Sequence, residues 1–393
     1  MLARRSASWV FSVLSAALSM GYGVLFTVVG DFRDEYGISE TAIGVVIGTG
    51  FLAAFVAQVF IAPLADRGRA RELVAIGVLL NVVGLVLMGF GESLGPILLG
   101  RVVSGVGIGT ALPAIRRIVI LADPDNLGEN LGRLLSADVF GFAMGPAVSA
   151  VLVGPLGLAA PFLVVAGLTI VTLIPAATVA VDEVRDESGQ RLALDLLSSR
   201  LVAGAVVLGA TAFMMIGAFD ALWDVVHEDL ETATWMANLG ITLFAIPLVI
   251  LGPTAGRWAQ HYGPYRLAAI GLLIGSVFIF LYGQMPSGEW IFAIAMVHAV
   301  SDGLTFAASG VAIAMVVPEE RQAGAQGVMG AAQALVAGIT AIVIGGLYDS
   351  SGRAVAYGVA AVAMVCMVVF GMVLAAEFWT KGRHKEATVE PVA

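Results

Sequence analysis

The chain has 393 residues, of which 59% are hydrophobic and only 12% charged, about half the charged share of an ordinary soluble domain. At roughly 20 apolar residues per membrane crossing, this composition excludes a soluble globular protein, and the length allows about a dozen spans with little left for a soluble domain. The net charge is −9, and the single cysteine, Cys366, excludes an intramolecular disulfide or a thiolate metal cluster.

In chain order, the basic start MLARRS leads into an apolar run from Ser8 to Gly30. That run is long enough to span and many others follow, so it reads as a first span and not as an export signal. Further apolar runs place spans near 40–64, 72–90, 95–121, 133–157, 159–180, 201–223, 233–255, 266–284, 289–316, 322–346 and 354–378. The sizeable polar connection VDEVRDESGQRLALDLLSSR, 181–200, falls between spans six and seven. The expected fold is therefore an all-α membrane protein of twelve transmembrane helices in two pseudo-symmetric six-helix bundles, 1–180 and 201–380. A cytoplasmic linker, 181–200, would join them, and 381–393 would form a cytoplasmic tail.

Lysine and arginine set the orientation. With both termini cytoplasmic, all 20 basic residues lie inside except Arg33 and Arg353, which face out, and Arg101, which is left within span four. Single cysteines at Ser188 and Ser93, in a Cys366→Ala background, should label from opposite sides of the cell membrane; labelling from one side would end the twelve-span reading. The stretches APLADRGRARELVAIG and TAGRWAQHYGPYRLAAIG follow spans two and eight. Such an echo between halves argues for a transporter with its site between repeats.

PLADRGRAR, between spans two and three, resembles the G-x-L-a-D-r-x-G-r-r signature of the major facilitator superfamily. LLGRVVSGVGIG, carrying Arg101, resembles its R-x-x-x-G pattern in span four. In GRLLSADVFGFAMGPAVSA, the spacing of Gly132, Gly141, Gly145 and Pro146 resembles the fifth-span signature of the family's proton-coupled drug exporters. The resemblance implies the superfamily fold, a cavity formed by spans 1, 4, 7 and 10, and an inner gate. In that gate Asp66 would face the N-terminal end of the eleventh helix, and one of Arg67, Arg69 and Arg71 would pair with Asp123 or Asp125. On residue chemistry alone, those charges read equally as positive-inside topology signals, and the glycines as close helix packing.

Charges inside spans are costly at about 2.5 to 3.5 kcal/mol each on insertion scales, so they point to a pathway. Asp302 lies near the middle of span ten and His298 four residues earlier, on the same helix face. The pair could relay a proton or be a structural contact. Asp138, in span five, is the rival proton carrier. Arg101 is too near the outer end to meet it. Asp220 lies near the outer end of span seven, where a solvated role competes with a place on the path.

These features lead to a secondary transporter, a proton-coupled exporter of small molecules working by alternating access. A symporter or uptake carrier is the alternative, and a membrane-embedded enzyme or non-transporting sensor stands further off. No H-E-x-x-H or Walker A motif is present. No cofactor, metal or nucleic-acid partner is expected; the partners are a small-molecule substrate, protons and the lipid bilayer, with the chain as a monomer.

Overall fold

The structure is a computed structural model that describes residues 2–179 and 192–380. The tail and most of the linker, including Arg185 and Arg191, lie outside the described residues. Every regular element among the described residues is helical. The first half comprises α1 (Leu2–Tyr36), α2 (Glu40–Phe60), a 3-10 turn (Ala62–Arg67), α3 (Ala70–Gly89), α4 (Leu94–Ala122), α5 (Leu127–Leu156) and α6 (Ala159–Thr178). The second comprises α7 (Arg200–Asp229), α8 (Thr234–Tyr262), α9 (Pro264–Gln284), α10 (Gly288–Thr305), α11 (Ala308–Val316), α12 (Gln322–Ser351), α13 (Arg353–Leu374) and the short α14 (Ala376–Thr380). Twelve segments are long and apolar enough to cross a membrane, with α10 and α11 together forming one of them.

The chain divides into two compact units. One holds Met1–Asp125, Arg133–Ala193 and Glu319–Gly327; the other holds Asn126–Gly132, Leu194–Pro318 and Val328–Ala393. The first turns of α5 and of α12 therefore group with the opposite half of the sequence. In the first unit the core is built by Val24, Leu25, Phe32, Leu85, Ile97 and Phe162. The second is more aromatic, with Phe219, Trp223, Tyr282 and Tyr357 packed on Met215 and Met364. Large apolar side chains also stand outward, among them Leu52, Val83, Val171, Ile250, Ile342 and Val369. Lipid is as apolar as these side chains, so burying them gains little, and close packing with hydrogen bonding holds the helices together. Ser104, whose hydroxyl donates to Asn81 Oδ1 at 2.7 Å inside the first unit, is one such tie.

Span ten departs from the single helix expected over 289–316. It breaks at Phe306 and Ala307, four residues after Asp302, and resumes as α11. Thr305 donates its hydroxyl back to the Ser301 carbonyl at 2.9 Å, a local competitor with the helical ladder of the kind that bends helices.

Candidate functional site

Asp66 is the last residue but one of its short turn, which Gly68 closes at φ 79° in the left-handed region suited to glycine. The tight turn carries the carboxylate inward, leaving Asp66 only 2% exposed. Oδ1 accepts from Arg117 Nε at 2.8 Å and from the Ala323 amide at 2.9 Å, and Oδ2 accepts from the Gly324 amide at 2.7 Å. Those amides belong to the first turn of α12, where backbone donors lack helical acceptors and the helix end is positive. A side chain at position 324 would meet Asp66 Oδ2 at 3.1 Å, so glycine there permits the approach.

Two of the neighbouring arginines have other partners. Arg69 pairs with exposed Glu72 at 2.8 Å, Arg71 donates to the Ala177 carbonyl, and Arg67 is exposed. The buried partner of Asp66 is Arg117, which sequence reasoning treated only as a topology signal. Removing one member of a buried ion pair costs about 3–5 kcal/mol. Asp66→Asn should therefore lower the thermal midpoint clearly, and Asp66→Asn with Arg117→Met should recover part of the loss. A double variant whose loss is the sum of the two single losses would show that the pair is not coupled.

Asp138 lies on α5 facing α1. Its Oδ1 accepts from the hydroxyls of Ser15 and Ser19, the latter at 3.3 Å, and Oδ2 lies 3.7 Å from Arg116 Nη2. Further along α5, a Cβ at Gly141 would run into the Ala16 backbone, and one at Gly145 into the backbone of Gly23 and Val24. Gly132, in the segment grouped with the second unit, faces the backbone of Gly252 and Pro253 on α8. The spaced glycines thus mark backbone-to-backbone contacts, and α5 passes through Pro146 unbroken.

Arg101, on α4, is 1% exposed. Its Cζ lies 4.1 Å from the Tyr22 ring centroid on α1 and 5.6 Å from that of Phe51 on α2. Its Nε and Nη2 have no hydrogen-bond acceptor.

In the second unit, Asp302 is 4% exposed, with Oδ1 at 3.4 Å from His298 Nε2. That is a close approach and not a formed hydrogen bond. His298 Nδ1 shares a 2.8 Å hydrogen bond with the Tyr282 hydroxyl, and Phe278 stacks on the ring at 4.7 Å. Gly275 on α9 leaves room for the imidazole; a Cβ there would lie 3.3 Å from Nε2. A void of about 10 Å³, on the scale of one water molecule, borders Asp302, Thr305, Ser309 and Met215. The pair therefore sits between α7, α9 and α10, inside its own bundle. Tyr282 is the member that sequence reasoning missed, since nothing in its apolar neighbourhood distinguishes it from core tyrosines. Asp220 is on α7, and its side chain lies outside those described.

The family model described as Major Facilitator Superfamily matches residues 11–230 and 201–391. The chain belongs to the major facilitator superfamily. A rat (Rattus norvegicus) relative, "MFS-type transporter SLC18B1", is 22% identical over 326 residues, covering 77% of this chain and 71% of that protein. "Quinolone resistance protein NorA" of Staphylococcus aureus (strain MSSA476) is 20% identical over 216 residues, covering 53% of this chain and 55% of NorA. Among solved structures, the proton:xylose symporter XylE superposes with TM-score 0.79 at 14% identity, covering 95% of each chain. This superfamily member is accordingly a multi-pass membrane transporter of small molecules and not an enzyme.

Proposed function

We propose that this transporter couples export of a small organic molecule to protons by alternating access. The observation that carries the reading is the buried His298–Asp302 contact, 3.4 Å apart and four residues from the break in span ten. An ionisable residue within a membrane helix is a functional-site hypothesis by default, and interrupted helices are where transporters place binding and coupling groups. A relative named for quinolone resistance is in keeping with export. Asp138, with Arg116 and two serines, is the rival carrier. The Asp66–Arg117 contact and the α1–α5 glycine contact serve as the elements that must rearrange on each cycle.

The test is a panel of organic solutes offered to proteoliposomes holding an imposed pH gradient and a trapped pH dye. A transported solute should dissipate the gradient, and the sign of proton movement relative to solute distinguishes exchange from symport. Solute accumulation that ignores the pH gradient and follows sodium would overturn the proton assignment.

A further inference from the structure

Among the described residues of the first unit two arginines, Arg101 and Arg117, are buried, and they differ in one respect. Arg117 is met by the Asp66 carboxylate. Arg101 has no carboxylate within ion-pair distance among the described residues, although it is the more deeply placed in aromatic surroundings. A buried cation without a counter-charge is costly to maintain. Tyr22 attracts the charge through its ring face and its side chain accepts a hydrogen bond from the guanidinium, but two N–H bonds are left unmet.

Those two bonds belong to Nε and Nη2, the two nitrogens of one guanidinium edge whose N–H bonds run parallel. That edge is a fork two oxygens wide, matched to a carboxylate. Gly50 contributes by absence, because a Cβ there would overlap the guanidinium at Nε and Cζ. Phe51, 39% exposed, supplies an aromatic wall beside the charge.

We infer that Arg101, with Tyr22, Gly50 and Phe51, forms a subsite for an organic carboxylate, the anionic group of a solute that this transporter carries. The oxygens take the Nε and Nη2 fork, and the apolar body of the solute lies against Phe51. The fork is sealed in this structure, so the anion enters in a state where the Phe51 wall has moved. A carboxylate gives each N–H of the fork its own oxygen, whereas a chloride ion must share one centre between them, which is why an organic carboxylate is the assigned occupant. The inference rests on the transport reading for the fate of the anion, but its test is equilibrium binding without any gradient. Failure of proton coupling and failure of this subsite are therefore read separately.

The experiment follows thermal unfolding of the purified full-length protein by tryptophan fluorescence. It compares sodium benzoate with an equal concentration of benzamide plus sodium chloride, which supplies the same ring, the same salt and no carboxylate. Benzoate should raise the midpoint of the natural protein in a saturable way, and the control should not. Arg101→Lys keeps the charge but loses the fork, and should weaken benzoate by at least about tenfold. Arg101→Gln should abolish the benzoate shift while leaving the unliganded midpoint at or above that of the natural protein, because an unpaired buried charge has been removed. A purely structural arginine predicts the opposite change in the unliganded midpoint. Gly50→Ala retains the arginine and displaces its fork, so it decides the matter if Arg101→Gln fails to fold; it too should weaken benzoate at least about tenfold. An equal shift from benzamide plus chloride, no shift from benzoate, a benzoate shift that survives Arg101→Gln, or unchanged benzoate affinity in Gly50→Ala would each overturn the assignment.

Discussion

Gly145→Leu is expected to cut transport per reconstituted molecule by at least about tenfold while leaving membrane insertion intact. Leucine is favourable in a membrane helix, so α5 should insert as before. The loss comes from packing. At position 145 even a Cβ would fall on the backbone of Gly23 and Val24, and from the other side a Cβ at Gly23 would reach the Phe142 carbonyl and lie 3.0 Å from Gly145 Cα. No rotamer avoids backbone, so α1 and α5 must separate. Overpacking costs about 1–3 kcal/mol, and a bias of that size shifts an equilibrium between states by roughly 5- to 150-fold. Gly145→Ala should fall between, and Gly23→Leu should reproduce the defect. The check is initial transport rate normalised to monodisperse protein recovered by size-exclusion chromatography. Full activity in Gly145→Leu would show that the α1–α5 contact plays no part in the cycle.

How much of this was legible in the sequence depends on the range of the interaction. Spans are legible because a run of about 20 apolar residues has few other fates. Their ends are not, since helices continue where apolarity stops: α7 runs to Asp229 and α8 to Tyr262, beyond the apolar limits near 223 and 255. The break after Asp302 carries no proline and was invisible. Partner choice was hidden for a geometric reason. Arg116 and Arg117 are adjacent and differ mainly by about 100° of helix phase, yet the first reaches Asp138 and the second Asp66. Depth alone had excluded Arg101 as the partner of Asp138 without saying which arginine takes its place. The glycine spacing of α5 was legible as close packing, but its facing elements, α1 for Gly141 and Gly145 and α8 for Gly132, emerge only from the fold.

Asp302→Asn should abolish gradient-driven accumulation while preserving substrate binding and exchange, whereas Asp138→Asn should do less. Charge accounting favours this order. Asp138 is paired with Arg116, and arginine stays protonated in proteins, so that pair is neutral in one way only, with Asp138 ionised. Asp302 is paired with His298, and an imidazole, unlike a guanidinium, can hold or release a proton. That pair is neutral either as carboxylate with imidazolium or as carboxylic acid with imidazole, and removing one proton leaves a single negative charge inside the bundle. A charge at such a position costs about 2.5 to 3.5 kcal/mol on insertion scales, roughly a hundredfold preference for a hydrated state at about 1.4 kcal/mol per tenfold. Proton occupancy can thereby choose between states of different hydration. Asparagine removes the carboxylate, so losing a proton can no longer leave a negative charge in the bundle, and that choice is lost. Tyr282 enters the same accounting, since its hydroxyl at 2.8 Å fixes the orientation of the His298 ring; Tyr282→Phe should shift the pH dependence of transport and leave substrate affinity in place. The measurement is accumulation against exchange in proteoliposomes over a pH series. If Asp302→Asn still accumulates substrate with an unchanged pH profile, the coupling role passes to Asp138, whose pairing with Arg116 would then have to open on every cycle.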